Sequence, residues 1–237
     1  MPRRVEDYRG LTQVSRLRLL RAVQREPGRL LQDLAVEAGV HINTARDHLR
    51  VLEEEGLIVS APVDTGRRGR PPLGYSPVRS AETSPQAQRR AQEARTRGQR
   101  LRAIAPDLDP TDDLGENATH QLDALYEHLD DAGLQPEVDE DRLTVGLLPC
   151  LYRDLIDEDQ PLVCSVHAKL VRHQLEQVPG PLELKRMHPF VEQDRCLLVL
   201  ALDGQAPRVR RTGGISGDQD ESVLEKHAVT AMRAHDG

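Results

Sequence analysis

Three cysteines, Cys150, Cys164 and Cys196, and one histidine, His167, three residues beyond the second cysteine, are the side chains best able to do chemistry. An odd number of cysteines cannot close into a complete disulfide framework. The thiols therefore fit soft metal ligands, a reactive thiol, or buried small hydrophobes. Three thiolates suit an iron-sulfur cluster with one non-cysteine position, or a Cys3His zinc site. The spacing is wide: 13 residues lie between Cys150 and Cys164 and 31 between Cys164 and Cys196, unlike the close pairs of zinc fingers. Cys164 and His167 stand at i and i+3 on one helix face and could also form a nucleophile and base. No Gly-rich oxyanion loop accompanies them, so the pattern argues against an enzyme.

The elements that position these residues follow from apolar periodicity. Thr111 to Asp131 predicts a helix with Leu114, Ala118, Leu122, Leu125 and Leu129 on one stripe and Gly133 as its stop. Val138, the turn Asp139–Asp141 and Leu143–Leu148 predict a hairpin that runs into Pro149-Cys150. Pro161 can open a helix over Leu162–Val178, placing Cys164 in its first turn, where a thiol is driven toward thiolate. Leu182–Val191, broken at Pro189, and an apolar run from Cys196 to Leu202 predict two strands. Each cysteine then sits at the edge of an element, and this half is α+β. A weak helix over Ser222–Ala234 closes the chain.

The first hundred residues have a different character. Leu11, Val14, Leu17, Leu20 and Val23 predict one helix, Leu30–Ala38 a second ending at Gly39, and Asn43–Glu55 a third with Asn43 as N-cap and Gly56 as stop. Leu57–Val59 and Leu73–Ser76 predict strands flanking the loop Asp64–Pro72, which holds Arg67, Arg68 and Arg70. Two short helices joined through a tight glycine turn, followed by a basic hairpin, predict a winged helix-turn-helix. With Ala45, Leu49 and Leu52 turned inward, Asn43, Arg46, Asp47 and Arg50 face outward with Thr44 at the flank. Arg and Asn side chains can read guanine and adenine edges, and the wing arginines would hold phosphates or enter the minor groove. One recognition helix reads few bases, so a homodimer on a palindromic DNA operator is expected.

The chain divides into residues 1–80 as the DNA-binding domain, 81–110 as a linker or dimerisation helix, and 111–237 as a cysteine-containing sensor domain. Leu101 and Ile104 in the linker could pack against a partner. Charge follows the division. Residues 1–100 carry 19 Arg, no Lys and 12 acidic residues, or +7; the remaining 13 basic and 27 acidic residues give −14. A basic half joined to an acidic half suits a first part that meets a polyanion and a second that does not. Only 2% of the residues are aromatic, which leaves little surface for stacking single-stranded bases. The longest apolar run, Cys196–Leu202, is far short of a membrane span, and no apolar signal segment opens the chain, so a cytoplasmic protein with no membrane partner is expected.

The wing ending GRRGRPPLGY, the Pro-Cys after a strand, VCSVH opening a helix and PFVEQDRC leading into a strand together resemble the SufR group of bacterial iron-sulfur-sensing transcriptional regulators. The resemblance runs from about Leu11 to Leu202, with Leu-Tyr after Cys150 where Pro-Phe is the pattern. It implies a dimeric repressor of iron-sulfur cluster assembly (suf) genes that releases DNA on cluster loss. Cys150, Cys164 and Cys196 take the ligand roles and 4Fe-4S is favoured over 2Fe-2S. His167 is the first candidate for the fourth position, followed by His188, Asp154 and Asp194. Zinc or thiol oxidation at the same cysteines, an architectural DNA binder, and a Cys/His enzyme fused to a DNA-binding domain are the competing readings.

Overall fold

A computed structural model describes residues 11, 13–64, 66, 69–104, 114–148, 152–192 and 195–203. Cys150, Arg67, Arg68, Asp194 and the expected helix over 222–234 lie outside the described residues.

The first helices form where the apolar spacing demands them. Helix α1 spans Val14–Arg25, α2 spans Leu31–Ala38 and α3 spans Ile42–Glu54. Leu17, Leu20, Leu34, Ala45, Leu49 and Leu52 are all buried where these helices meet. Gly39 ends α2 in the left-handed region at φ 66°, which a side chain rarely adopts, so the chain reverses sharply into α3. The expected cap of α3 needs correcting. His41 takes that place, its Nδ1 accepting the Asn43 backbone N–H at 3.2 Å, and Asn43 lies inside the helix.

A two-residue strand not foreseen from the sequence, β1 (Arg29–Leu30), joins β2 (Ile58–Pro62) and β3 (Leu73–Pro77) in an antiparallel sheet of order β1-β3-β2. Gly74 permits it, because a Cβ there would meet the Gly28 carbonyl and the Val63 side chain. A 3-10 turn over Ala81–Thr83 then leads to α4 (Pro85–Ile104).

Helix α4 packs along α5 (Glu116–Asp131). Gly98, which would weaken an isolated helix, is buried at this crossing, where a Cβ would overlap the Asp123 carboxylate. That carboxylate receives a two-pronged ion pair from Arg102 at 2.8 and 2.9 Å. Arg97 pairs with Glu127 at 2.9 Å and Arg95 pairs with Glu116.

Strands β4 (Gln135–Asp139), β5 (Thr144–Leu148), β6 (Leu182–Glu192) and β7 (Arg195–Leu202) form a second antiparallel sheet, ordered β4-β5-β7-β6. Val145 pairs with Leu198 and Leu147 with Cys196, so these side chains share the face that enters the core. Helix α6 spans Arg153–Gln177 and begins earlier than expected. It is broken at Asp159, whose backbone leaves the helical region just before Pro161 and whose Oδ1 accepts the Leu162 N–H at 3.0 Å. Cys164 therefore stands in the second turn after the break, beyond the first turn in which a helix terminus acts most strongly on a thiol.

Gln121, 2% exposed, ties this half together. Its Nε2 donates to the carbonyls of Leu175 and Leu182 at 2.9 and 3.1 Å, and its Oε1 accepts the Leu182 N–H at 2.7 Å. Buried residues of both sheets and of α1, α2, α3, α5 and α6 belong to a single hydrophobic cluster.

Candidate functional site

Helix α3 presents the side chains that could enter a DNA groove. Asn43, Thr44, Arg46, Asp47 and Arg50 are exposed, while Ala45, Leu49 and Leu52 are fully buried. The rotation around the helix is the one required by a 3.6-residue period. Asn43 is freed from capping and its Oδ1 accepts from Arg46 Nη1 at 2.9 Å. That bond steadies Arg46 across the outer face. Arg50 lies 3.9 Å from Glu54, an exposed i,i+4 contact of little stabilising value, which leaves its guanidinium available to a base or phosphate.

The far end of α3 is anchored to the wing. Glu53 Oε1 accepts from both the backbone N–H and the hydroxyl of Ser60, at 3.0 and 2.7 Å. Between β2 and β3, Val63 N–H donates to the Pro72 carbonyl at 2.8 Å and Gly66 N–H to Asp64 Oδ1 at 2.8 Å. Arg70 is exposed on this loop. Of the three wing arginines it is the one inside the described residues.

One residue of the interface escaped the sequence reading. His48, half-buried on the flank of α3, meets α1 with both ring nitrogens: Nε2 is 3.0 Å from the Ser15 hydroxyl, and Nδ1 accepts from Arg16 Nε at 3.4 Å. Since Arg16 can only donate, the proton of the neutral ring belongs on Nε2. Burial, then the Arg16 charge, hold His48 below the usual histidine range, against a weaker pull from Asp47. The spacing from Ala45 and Leu49 places His48 beside the buried stripe, but the partner on α1 requires the tertiary fold.

The two halves touch through polar as well as apolar contacts. Residues 78 and 79, just after β3, are gripped by the last turn of α6. Gln177 Nε2 donates to the Val78 carbonyl at 3.1 Å, and Arg79 pairs with Glu176 at 2.6 Å. Arg90 on α4 donates to the Glu55 carbonyl, just past α3, at 2.5 Å. The segment after residue 80 is thus a packed helix joined to the recognition helix.

The cysteines have unequal surroundings. Cys196 is buried in the core and Cys164 is half-buried on α6. His167 follows one turn later with its ring edge-on to Tyr152, centroids 5.7 Å apart. Burial lowers its pKa to about 4. The pKa of His128 on α5 falls to about 3, first through burial and then through the charges of Arg90 and His167. Both rings are therefore neutral at physiological pH. Among the described residues no three His, Cys, Asp or Glu side chains gather closely enough to hold a metal ion. Cys164, His167 and Cys196 alone make no such group.

A family model for a helix-turn-helix domain matches residues 11–61, the stretch that carries α1, α2, α3 and most of β2. No curated protein and no solved structure matches the chain. The match and the exposed face of α3 agree: this is a DNA-binding transcriptional regulator with an N-terminal helix-turn-helix domain in a mixed α+β fold. No helix among the described residues is long and apolar enough to cross a membrane.

Proposed function

We propose that this regulator binds a palindromic operator as a homodimer and represses iron-sulfur cluster assembly genes, with Cys150, Cys164 and Cys196 as ligands of an iron-sulfur cluster, 4Fe-4S in preference to 2Fe-2S. The observation that carries the DNA-binding part is the row Asn43, Thr44, Arg46 and Arg50, exposed on a helix whose opposite face is wholly buried. Arg67, Arg68 and Arg70 would add phosphate or minor-groove contacts from the wing.

The cluster reading is supported by the donor chemistry and the local sequence pattern. Thiolates are the ordinary ligands of iron-sulfur clusters. Cys196 pairs in register with Leu147 on β5, and Cys150 follows that strand by two residues in sequence. The sheet thus brings the segment leading into one proposed ligand alongside another. Cys164 stands on α6 between the break at Asp159 and the turn that holds the wing. When bound, a cluster would supply a labile link among these segments, and His167 is the first candidate for its non-cysteine position.

The residues of the chain account for the link to DNA. Gln177 and Glu176 fix residues 78 and 79 at the exit of the wing, and Arg90 fixes the end of α3. A change in the seating of α6 is therefore felt at the DNA-contacting elements. Such coupling is typically worth ~1 to 3 kcal/mol, or about 5- to 150-fold in DNA affinity. The deciding experiment is anaerobic purification with a visible spectrum, iron and sulfide counts, and DNA binding before and after cluster removal. A brown protein whose operator affinity falls on cluster loss is expected. A colourless, iron-free protein with unchanged affinity after reconstitution refutes the cluster. Zinc in place of iron, or a response to thiol oxidation alone, would move the sensing to those chemistries.

A further inference from the structure

Where α1 packs on α6, cations outnumber acids. Arg21 and Arg25 are exposed at i and i+4 on α1; Lys169, half-buried, and Arg172, exposed, stand at i and i+3 on α6. Burial, and then the positive charges of Arg25, Arg21 and Arg172, push the Lys169 pKa down. Of the nearby acids, Glu37 pairs with Arg25 and Arg29, and Glu176 with Arg79. Arg21, Lys169 and Arg172 have no ion pair or hydrogen-bond partner among the described residues.

A half-buried ammonium among three guanidiniums is costly. One multiply charged anion would relieve it.

We propose that the α1–α6 crossing binds a phosphate group through Arg21, Arg25, Lys169 and Arg172. Guanidinium forks match phosphate oxygens two at a time, and a compact ammonium adds a point charge. Two sources offer this chemistry: the backbone of duplex DNA, since α1 belongs to the DNA-binding domain, or a free phosphate compound. The site shares no residue with the outer face of α3, and its free-phosphate arm can be tested whether or not the operator reading holds.

The experiment uses the full chain, the variant Lys169→Gln and the double variant Lys169→Gln/Arg172→Gln. Without added anion, Lys169→Gln should melt no lower than wild type, because it removes repulsion; a clear drop would mean the charge is already compensated and would overturn the site. If the source is a free compound, millimolar pyrophosphate raises the wild-type melting temperature by about 5 °C and leaves the double variant unmoved. If it is DNA, the slope of log affinity against log salt for a duplex is shallower by about 2 in the double variant. No pyrophosphate shift in wild type together with an unchanged salt slope overturns the proposal.

Discussion

Replacing Gln121 by methionine keeps the length and unbranched shape of the side chain and removes its polarity. Three hydrogen bonds disappear, to the carbonyls of Leu175 and Leu182 and from the Leu182 N–H. Each is worth about 1 kcal/mol net, and depriving a buried N–H of its acceptor costs a further ~1 to 2 kcal/mol. The total is about 3 to 5 kcal/mol, a fall in melting temperature of roughly 10 °C for a chain of this size. Leu182 opens β6, the neighbour of the strand that carries Cys196, so the loss loosens the sheet edge against α5 and α6. Urea unfolding followed by circular dichroism, with the midpoint compared at constant slope, measures it. A loss below about 1 kcal/mol would refute the view that this amide joins the two helices to the sheet, because it would mean water replaces all three contacts.

Other outcomes bear on the DNA interface and the packing of the helices. Arg46→Ala should weaken operator binding by about 1 to 3 kcal/mol in gel retardation, and Arg70→Ala should weaken binding to all duplexes alike and lower the salt slope by about 1. His48 has its pKa held below the ordinary value, so its neutral form is favoured by the fold. Its contribution is complete above the unfolded value near 6.5 and declines as pH falls through the depressed folded value. The melting temperature of wild type relative to His48→Asn should accordingly decline on acidification below the unfolded value, and a pH-independent difference would contradict the role of the ring. Gly98→Ala should destabilise by about 1 to 3 kcal/mol by displacing the Asp123 carboxylate from Arg102, with partial relief in the Gly98→Ala/Asp123→Ala double variant by thermal melting.

The helix-turn-helix was legible because its signals are local. The stripe Ala45, Leu49, Leu52 and the left-handed Gly39 need no knowledge of the rest of the chain, and the outward set on α3 followed from rotation alone. Capping was misread because Asn43 is the better cap by type, whereas the bend of the chain gave that place to His41. Gly98 weakens a helix by type, and only the approach of α5 shows why a side chain is excluded there. The start of α6 was missed because Pro161 marks a helix beginning equally well after a loop or after a break at Asp159. Contacts such as Ser15 with His48 and Gln177 with Val78 join residues far apart in sequence, where periodicity carries no signal. The cysteine spacing offers candidate donors and carries no signal of whether they converge.

In the proposed coupling, the unbroken part of α6 is a lever of fixed length. From Cys164 to Gln177 it rises 13 residues, about 20 Å. A tilt of only ~6° about the cysteine end carries the far end through about 2 Å, enough to stretch a hydrogen bond of 3.1 Å past any useful length. The break at Asp159 lies on the other side of Cys164, so the first turns of α6 can stay seated while the arm swings. The stroke needed to unlock the wing is thus smaller than the width of one side chain.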